Sequence, residues 1–256
     1  MFTYIIKIFS MKKNIKFSII TCCKNSMPHI IENIKSIEKQ SFKNYEHLFI
    51  LSKSNDQTDR YLKIKKKRVL NFNSNNIYKC INYGIKKSKG EIIYLLHSDD
   101  EVISKNLLKK INNTFKDDKV KFIYGDCNIV KRFNKNVTIR KWKSKLILKK
   151  KYFETEMPAH TTFFIKKKIF SKFLYDTKFN ISSDFDFLIK LFENFQGKYV
   201  NEVFIKMRTG GKSSQLKNFK LKMQEDIKIL QKKYKYKFLL VYFLKLILRI
   251  KQKVIF

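Results

Sequence analysis

The chain has 256 residues, 44% of them hydrophobic, which suits one large domain with a true core, or one domain plus an appendage, and excludes general disorder. Its 57 basic and 21 acidic residues give a formal charge of +36, compatible with nucleic acid, an anionic membrane surface or an anionic substrate. Abundant Lys beside scarce Gly (6) and Pro (2) also fits a coding bias that spreads Lys over solvated faces, so only local clustering of charge is informative.

The opening "MFTYIIKIFS" is apolar but short, is broken by Lys7 and lacks a small-residue cleavage site. It reads as an untidy start upstream of Met11 rather than a signal peptide. From Lys16 the chain alternates strand and helix patterns. "KFSIIT" is a β-branched strand. "SMPHIIENIKSIEKQ" predicts a helix with Pro28 at its first position and Ile30, Ile31, Ile34 and Ile37 on one face. "YEHLFIL" is the second strand, "DQTDRYLKI" a short helix or turn, and "RVLNF" the third strand. A helix follows with Ile77, Cys80, Ile81, Gly84 and Ile85 on one stripe. "EIIYLL" is a continuous apolar strand of the kind buried on both faces. Ser104 is placed to cap a helix carrying Leu107, Leu108, Ile111 and Phe115, and "KFIYGD" is a further strand. This rhythm predicts an α/β fold with a mostly parallel sheet and helices on both sides. Ligands of such sheets bind beyond the carboxyl ends of the strands.

The second half is less regular. "AHTTFFI" and "KYVNEVFIKM" read as strands, with the helix "SSDFDFLIKLFENF" between them and the polar turn "RTGGKSSQ" after them. From about Leu216 the chain is helical, Lys-rich and nearly free of acids. Cys22, Cys23, Cys80 and Cys127 form no C-x-x-C pair and have no His cluster, so reduced thiols are expected rather than zinc or disulfides.

Two acidic sites stand out. Asp99 and Asp100 end the strand of "GEIIYLLHSDD", where paired carboxylates suit a hard divalent cation, although acidic dipeptides also simply start turns. Asp184 and Asp186 open the helix of "SSDFDF". There they complement the positive helix end behind a Ser182 or Ser183 cap, or one of them acts as a general base over a cleft.

In order and spacing these segments resemble the family 2 glycosyltransferases, inverting enzymes with a nucleotide-diphospho-sugar transferase (GT-A) fold. "FSIITCCKN" resembles the opening strand and T-P-x-x-N turn, and "SIEKQSFKNYEHLFI" the helix end, Q-[ST] turn and second strand. "INYGIKKSKGEIIYLLHSDD" is similar to the block ending in D-D, "ISSDFDFLIKLF" to the E-D motif, and "GGKSS" to the G-G-x-S loop. The resemblance spans roughly Lys16 to Gln215 and points to enzymes that build cell-surface polysaccharide and lipopolysaccharide.

The resemblance implies a single Rossmann-like glycosyltransferase domain, residues 15–215, followed by a basic amphipathic helical extension, residues 216–256. It implies a nucleotide-diphospho-sugar donor, a glycan or lipid-linked acceptor, and Mn2+ or Mg2+ as cofactor. Asp99 falls where the D-x-D motif holds metal and diphosphate, with Asp100 beside it and His97 in place of the first acid. Asp184 falls on the catalytic base, and Thr21 and Asn25 in the turn that approaches the nucleotide. Leu51 stands where relatives often carry an Asp for the base or ribose, while Asp56, assigned to donor binding, and Thr58 lie further along that loop. The turn before the third helix is degraded to "SNNIYKC", and Cys22 replaces the Pro of T-P-x-x-N. Arg208 and Lys212 either neutralise phosphate or form a solvated basic loop. His160 is either an acceptor-side histidine or a packed structural one.

Two rival classes remain at this level. One is a catalytically lapsed partner subunit, against which Asp99 and Asp184 argue. The other is a nucleic-acid-binding protein, for which no helix-turn-helix, RRM or zinc-finger signature is found, so nucleic acid is not the expected partner. The run from Phe238 to Ile250, broken by Lys245 and Arg249, is too short and too charged to span a bilayer. It suits either packing on the domain or attachment to an anionic membrane surface. The expected location is therefore cytoplasmic, peripheral on the cytoplasmic face of the membrane.

Overall fold

The computed structural model describes residues 14–147, 157–211 and 216–254. The elements run β1 (Phe17–Cys23), α1 (Ile30–Glu38), β2 (Tyr45–Leu51), α2 (Thr58–Ile64), β3 (Arg68–Asn71), α3 (Ile77–Lys87), β4 (Ile92–Leu95), β5 (Glu101–Val102) and α4 (Leu107–Thr114). They continue with β6 (Phe122–Lys131), β7 (Asn134–Trp142), β8 (Phe164–Lys166), α5 (Ser183–Asn194), β9 (Gly197–Arg208), α6 (Phe219–Tyr234) and α7 (Phe238–Val254).

One sheet orders the strands β3-β2-β1-β4-β8-β6-β9-β5, with β7 paired to β6. The first four are parallel, as the alternating pattern predicts. β8 then enters antiparallel between β4 and β6, which is why the second half lacks a βα rhythm. Side chains of β1 alternate across the sheet. Ile20 joins Ile50, Ile81, Ile85, Phe187 and Phe192 in one apolar layer, while Phe17 and Ile19 join Ile37, Leu107, Ile111 and Phe204 in the other. Gly84 lets α3 lie against the sheet, since a Cβ there would sit 2.6 Å from Ile20 Cγ2. Gly90 passes still closer to the backbone of β1, with its N–H donating to Ser18 Oγ at 2.7 Å.

Local expectations are corrected in three places. Pro28 lies in the turn before α1 rather than at its first position, because its O accepts an i to i−3 bond from Ile31 N–H (3.2 Å) and the helical bonding opens at His29, whose O accepts from Asn33 N–H at 3.2 Å. Ser104 accepts from Asn106 N–H at 3.2 Å, one turn ahead of α4, and is not its cap. Neither Ser182 nor Ser183 caps α5, as both hydroxyls are buried without a hydrogen-bond partner. The chain entering α5 is held instead by buried Glu225 of α6, which accepts from the N–H groups of Asn180 (2.8 Å), Ile181 (2.9 Å) and Ser182 (2.9 Å).

The C-terminal helices pack on the same body. Ile229 and Leu230 of α6 belong to the larger apolar cluster, and Phe238, Val241 and Tyr242 of α7 pack against it. The other face of α7 leaves Leu239, Leu240, Phe243, Leu244 and Ile247 exposed. Among the described residues no helix is long and apolar enough to cross a membrane. The segment upstream of Met11, Lys212 and most of "GGKSS" lie outside the described residues.

Candidate active site

β4 is buried along its whole length, and Leu96 N–H still donates to Ile20 O (3.1 Å), so the chain leaves the sheet at His97. Asp100 N–H closes a turn on His97 O at 3.0 Å. Asn33 of α1 clasps both ends of that turn, donating to His97 O (2.7 Å) and Asp100 O (3.1 Å). Ser26 Oγ, from the turn after β1, donates to Ser98 Oγ at 2.9 Å. The acidic tip is therefore a fixed feature of the scaffold.

Its two acids differ. Asp99 is partly exposed, and its Oδ2 accepts from Arg132 Nη1 at 3.2 Å. Arg132 lies at the β6–β7 hairpin, and a second bond to Thr209 O (3.2 Å) steadies it. Asp100 is 1% exposed, and neither carboxyl oxygen has a hydrogen-bond partner. Burial, and then the neighbouring Asp99, push its carboxyl well above the ordinary carboxylate value. One ligand atom each from His97, Asp99 and Asp100 lies within 4.8 Å of the others. A buried carboxylate with no partner beside a second carboxylate is a donor set that a divalent cation would satisfy.

This arrangement has a stability consequence. Asp100→Asn is expected to raise the melting temperature of the metal-free protein at neutral pH by ~2–4 °C, for about 1 kcal/mol in a chain of this size. A carboxyl whose folded pKa is raised contributes stability below its unfolded pKa and loses it as pH rises through the folded one. The gain should therefore shrink as the pH falls into the ordinary carboxylate range. Thermal melts over that range check it, and a gain that grows on acidification would contradict the assignment.

The second acidic site reaches the first through the sheet. Because β8 is antiparallel to β4, the short 3-10 turn His160–Thr162 that precedes β8 lies at the end of the sheet where β4 delivers His97. His160 Nε2 is 3.1 Å from His97 Nε2, and His160 Nδ1 is 3.3 Å from Asp184 Oδ2 in the first turn of α5. Tyr78 Oη of α3 lies 3.1 Å from Asp184 Oδ1 and 2.5 Å from Ile181 O, so its one hydrogen serves two acceptors. Burial is the largest single influence on Asp184 and opposes its ionisation, but His160, Lys222 and the backbone N–H of Phe185 together outweigh it and hold the carboxyl well below the ordinary value. Burial, and then His160, pull His97 down to about 4, a neutral ring at physiological pH. Asp186 faces elsewhere and pairs with Lys190 at 2.5 Å.

The donor-side candidates are placed less directly. Thr21 is fully buried and its Oγ1 lies 2.9 Å from His47 Nε2, so its hydroxyl is engaged inside the sheet. Asn25, at φ +50°, ties the first turn to the next loop by accepting from Asn55 N–H at 2.8 Å. Asp56 accepts from Met27 N–H (2.9 Å) and Thr58 N–H (3.0 Å), so its carboxylate braces these loops. Leu51 is buried. Beyond β1–β3 lies an open polar cleft of about 400 Å³ lined by Lys24, Lys53, Asn55, Asn73, Ser74 and Asn75. Arg208 is buried, so the solvated-loop reading fails for it. It forms an ion pair with Glu32 and donates to Arg132 O at 3.0 Å.

Sequence reasoning missed Arg132, Tyr78 and Glu225. Arg132 could have been found from "IVKRFNKNVTI", a β-branched run turned by polar residues. Glu225 carried a signal as one of only two acids after residue 215.

The profile of the family described as "Glycosyl transferase family 2" matches residues 18–174. The chain belongs to that family. This glycosyltransferase is 28% identical over 207 residues to the uncharacterized glycosyltransferase MJ1057 of Methanocaldococcus jannaschii, covering 75% of this chain and 70% of that one. Its fold is similar to that of TarS from S. aureus, with a TM-score of 0.66 at 14% identity, over 93% of this chain and 54% of TarS. The chain thus spans about half the length of TarS. A shorter form, TarS 1–349, was solved with UDP-GlcNAc and gives the same TM-score at 16% identity, over 91% of this chain and 71% of that one. The mannosyltransferase PcManGT of Pyrobaculum calidifontis, solved with GDP-Man and Mn2+, gives 0.61 at 14% identity, over 85% of this chain and 63% of its own. The family match ends before Asp184, so the placing of that residue rests on the geometry above.

Proposed function

We propose that this glycosyltransferase moves a sugar, of hexosyl type, from a nucleotide diphosphate to a hydroxyl of a glycan or lipid-linked acceptor in surface-polysaccharide synthesis. The reading assigns one in-line displacement with inversion and no covalent enzyme intermediate. The observation that carries it is the meeting of two separated acidic sites, Asp99 with Asp100 and Asp184, on either side of the His97–His160 contact. The strand tip holds the diphosphate end of the donor, with Asp99 and Asp100 as the cation's carboxylate ligands. A divalent cation bound there supplies charge neutralisation at the leaving diphosphate. Asp184 takes the proton from the acceptor hydroxyl, and Tyr78 and His160 hold its carboxylate in place. The polar cleft with Lys24 and Lys53 receives the nucleoside end, with Asn25 and Asp56 shaping its rim. UDP-sugars and GDP-mannose are the first donors to try, since similar folds were solved with UDP-GlcNAc and GDP-Man. The experiment is a thermal-shift screen of nucleotide sugars with Mn2+ or Mg2+, followed by a transfer assay on any donor that binds. If no nucleotide sugar shifts the melt with either metal, the reading fails.

The same proposal places the enzyme on an anionic membrane surface through α7. The support is its exposed row Leu239, Leu240, Phe243, Leu244 and Ile247, in an extension with 12 basic residues and 2 acids. Both acids, Glu225 and Asp226, are buried. A second copy of so basic a chain would bring like charge to the same face. Deleting the helix would uncover core residues beneath Phe238, Val241 and Tyr242, so substitution is the cleaner test. Leu240→Ser with Phe243→Ser is expected to lower co-sedimentation with anionic vesicles about tenfold or more, at an unchanged melting temperature. Equal binding by both proteins, or none by the wild type, would remove the anchor.

A further inference from the structure

We propose that the cation site is a mixed nitrogen–oxygen site in which His97 Nδ1 is a ligand beside Asp99 and Asp100, and that it prefers a first-row transition cation over Mg2+. The inference rests on the metal-assisted reading above and concerns the residue that departs from an all-carboxylate tip.

Two ring nitrogens 3.1 Å apart, His97 Nε2 and His160 Nε2, share one proton. With its Nδ1 hydrogen directed at Asp184 Oδ2, 3.3 Å away, the His160 tautomer that carries that single hydrogen accepts at Nε2. His97 is then the donor at Nε2, and its Nδ1 carries a lone pair. That nitrogen faces the acidic tip, 3.9 Å from Asp100 Oδ2.

The surroundings are those of a ligand. Metal-bound histidines give their other N–H to a partner that fixes ring and tautomer. Here His160 is that partner, and Asp184 anchors it in turn. Asp100 supplies an independent sign, as a 1%-exposed carboxyl in the same group with neither oxygen hydrogen-bonded. Imidazole suits transition cations, whereas Mg2+ takes oxygen ligands in strict octahedral geometry. His160 is thereby a positioning residue for the cation as well as for Asp184.

The test is electron spin-echo spectroscopy of Mn2+ added to the full chain, alone and with UDP, to about 1 mM. Nitrogen modulation is expected in the wild type, changed in protein grown with ¹⁵N-histidine, and lost in His97→Asp. The ratio of Mg2+ to Mn2+ dissociation constants is expected to fall at least tenfold in His97→Asp, which restores an oxygen ligand. His160→Gln should keep the modulation and weaken Mn2+ binding about 10–100-fold. Bound Mn2+ without histidine modulation in the wild type overturns the nitrogen ligand and leaves metal-assisted transfer standing. Modulation that persists in His97→Asp overturns the assignment to His97. No Mn2+ binding under either condition overturns the site, and transfer that survives EDTA then removes the metal-assisted reading as well.

Discussion

The Asp184→Asn enzyme is expected to transfer sugar about two to four orders of magnitude more slowly than wild type, with donor affinity unchanged. The amide keeps an oxygen for Tyr78 Oη and occupies the same volume, so the first turn of α5 is undisturbed. What it loses is the capacity to take a proton. A structural role predicts little change, because no side chain caps this helix and the loop before it is held by Glu225. Asp186→Asn serves as the comparison, since that carboxylate is committed to Lys190 on its own helix and should cost much less. Single-turnover rates at saturating donor, beside donor affinity from thermal shift, separate the cases. The reverse ranking of the two variants would move the base to Asp186.

The Asp99→Asn enzyme is expected to lose at least about a hundredfold in transfer, with a melting temperature near that of the wild type. Asp99 sits on the turn beyond β4 rather than in either apolar layer, and the turn is clasped through backbone carbonyls by Asn33, which the substitution leaves alone. Arg132 keeps its bond to Thr209 O. The expected deficit is in charge at the diphosphate, so added Mn2+ should rescue it only in part. Turnover close to wild type would mean that the acidic tip starts a turn and does nothing more.

The sequence was most legible where one residue type serves one physical demand. The alternating apolar runs predicted the parallel half of the sheet because each strand there is followed by a helix. The structure adds what the pattern did not say of Gly84 and Gly90, that both meet the sheet more closely than a Cβ would permit. The acidic tip was visible as a polar break after a buried strand. Legibility failed where position depends on non-local pairing. β8 enters between β4 and β6 from far along the chain, and nothing local in "AHTTFFI" announces that His160 will meet His97. The helical reading of "SSDFDF" supplied a serine cap by habit, while the chain used a carboxylate from more than forty residues downstream. Arg208 looked like part of a solvated turn because its partner Glu32 lies on the first helix.

The hold of Glu225 on the amides of residues 180–182 bears on how such enzymes can be recombined. A chimera that joins this catalytic half to another protein's C-terminal helices would break three bonds that position the loop before Asp184, although its junction would lie outside every recognisable motif. Exchange of the extension should therefore be planned with the 180–182 loop as its counterpart, the two segments moving together as one inherited unit.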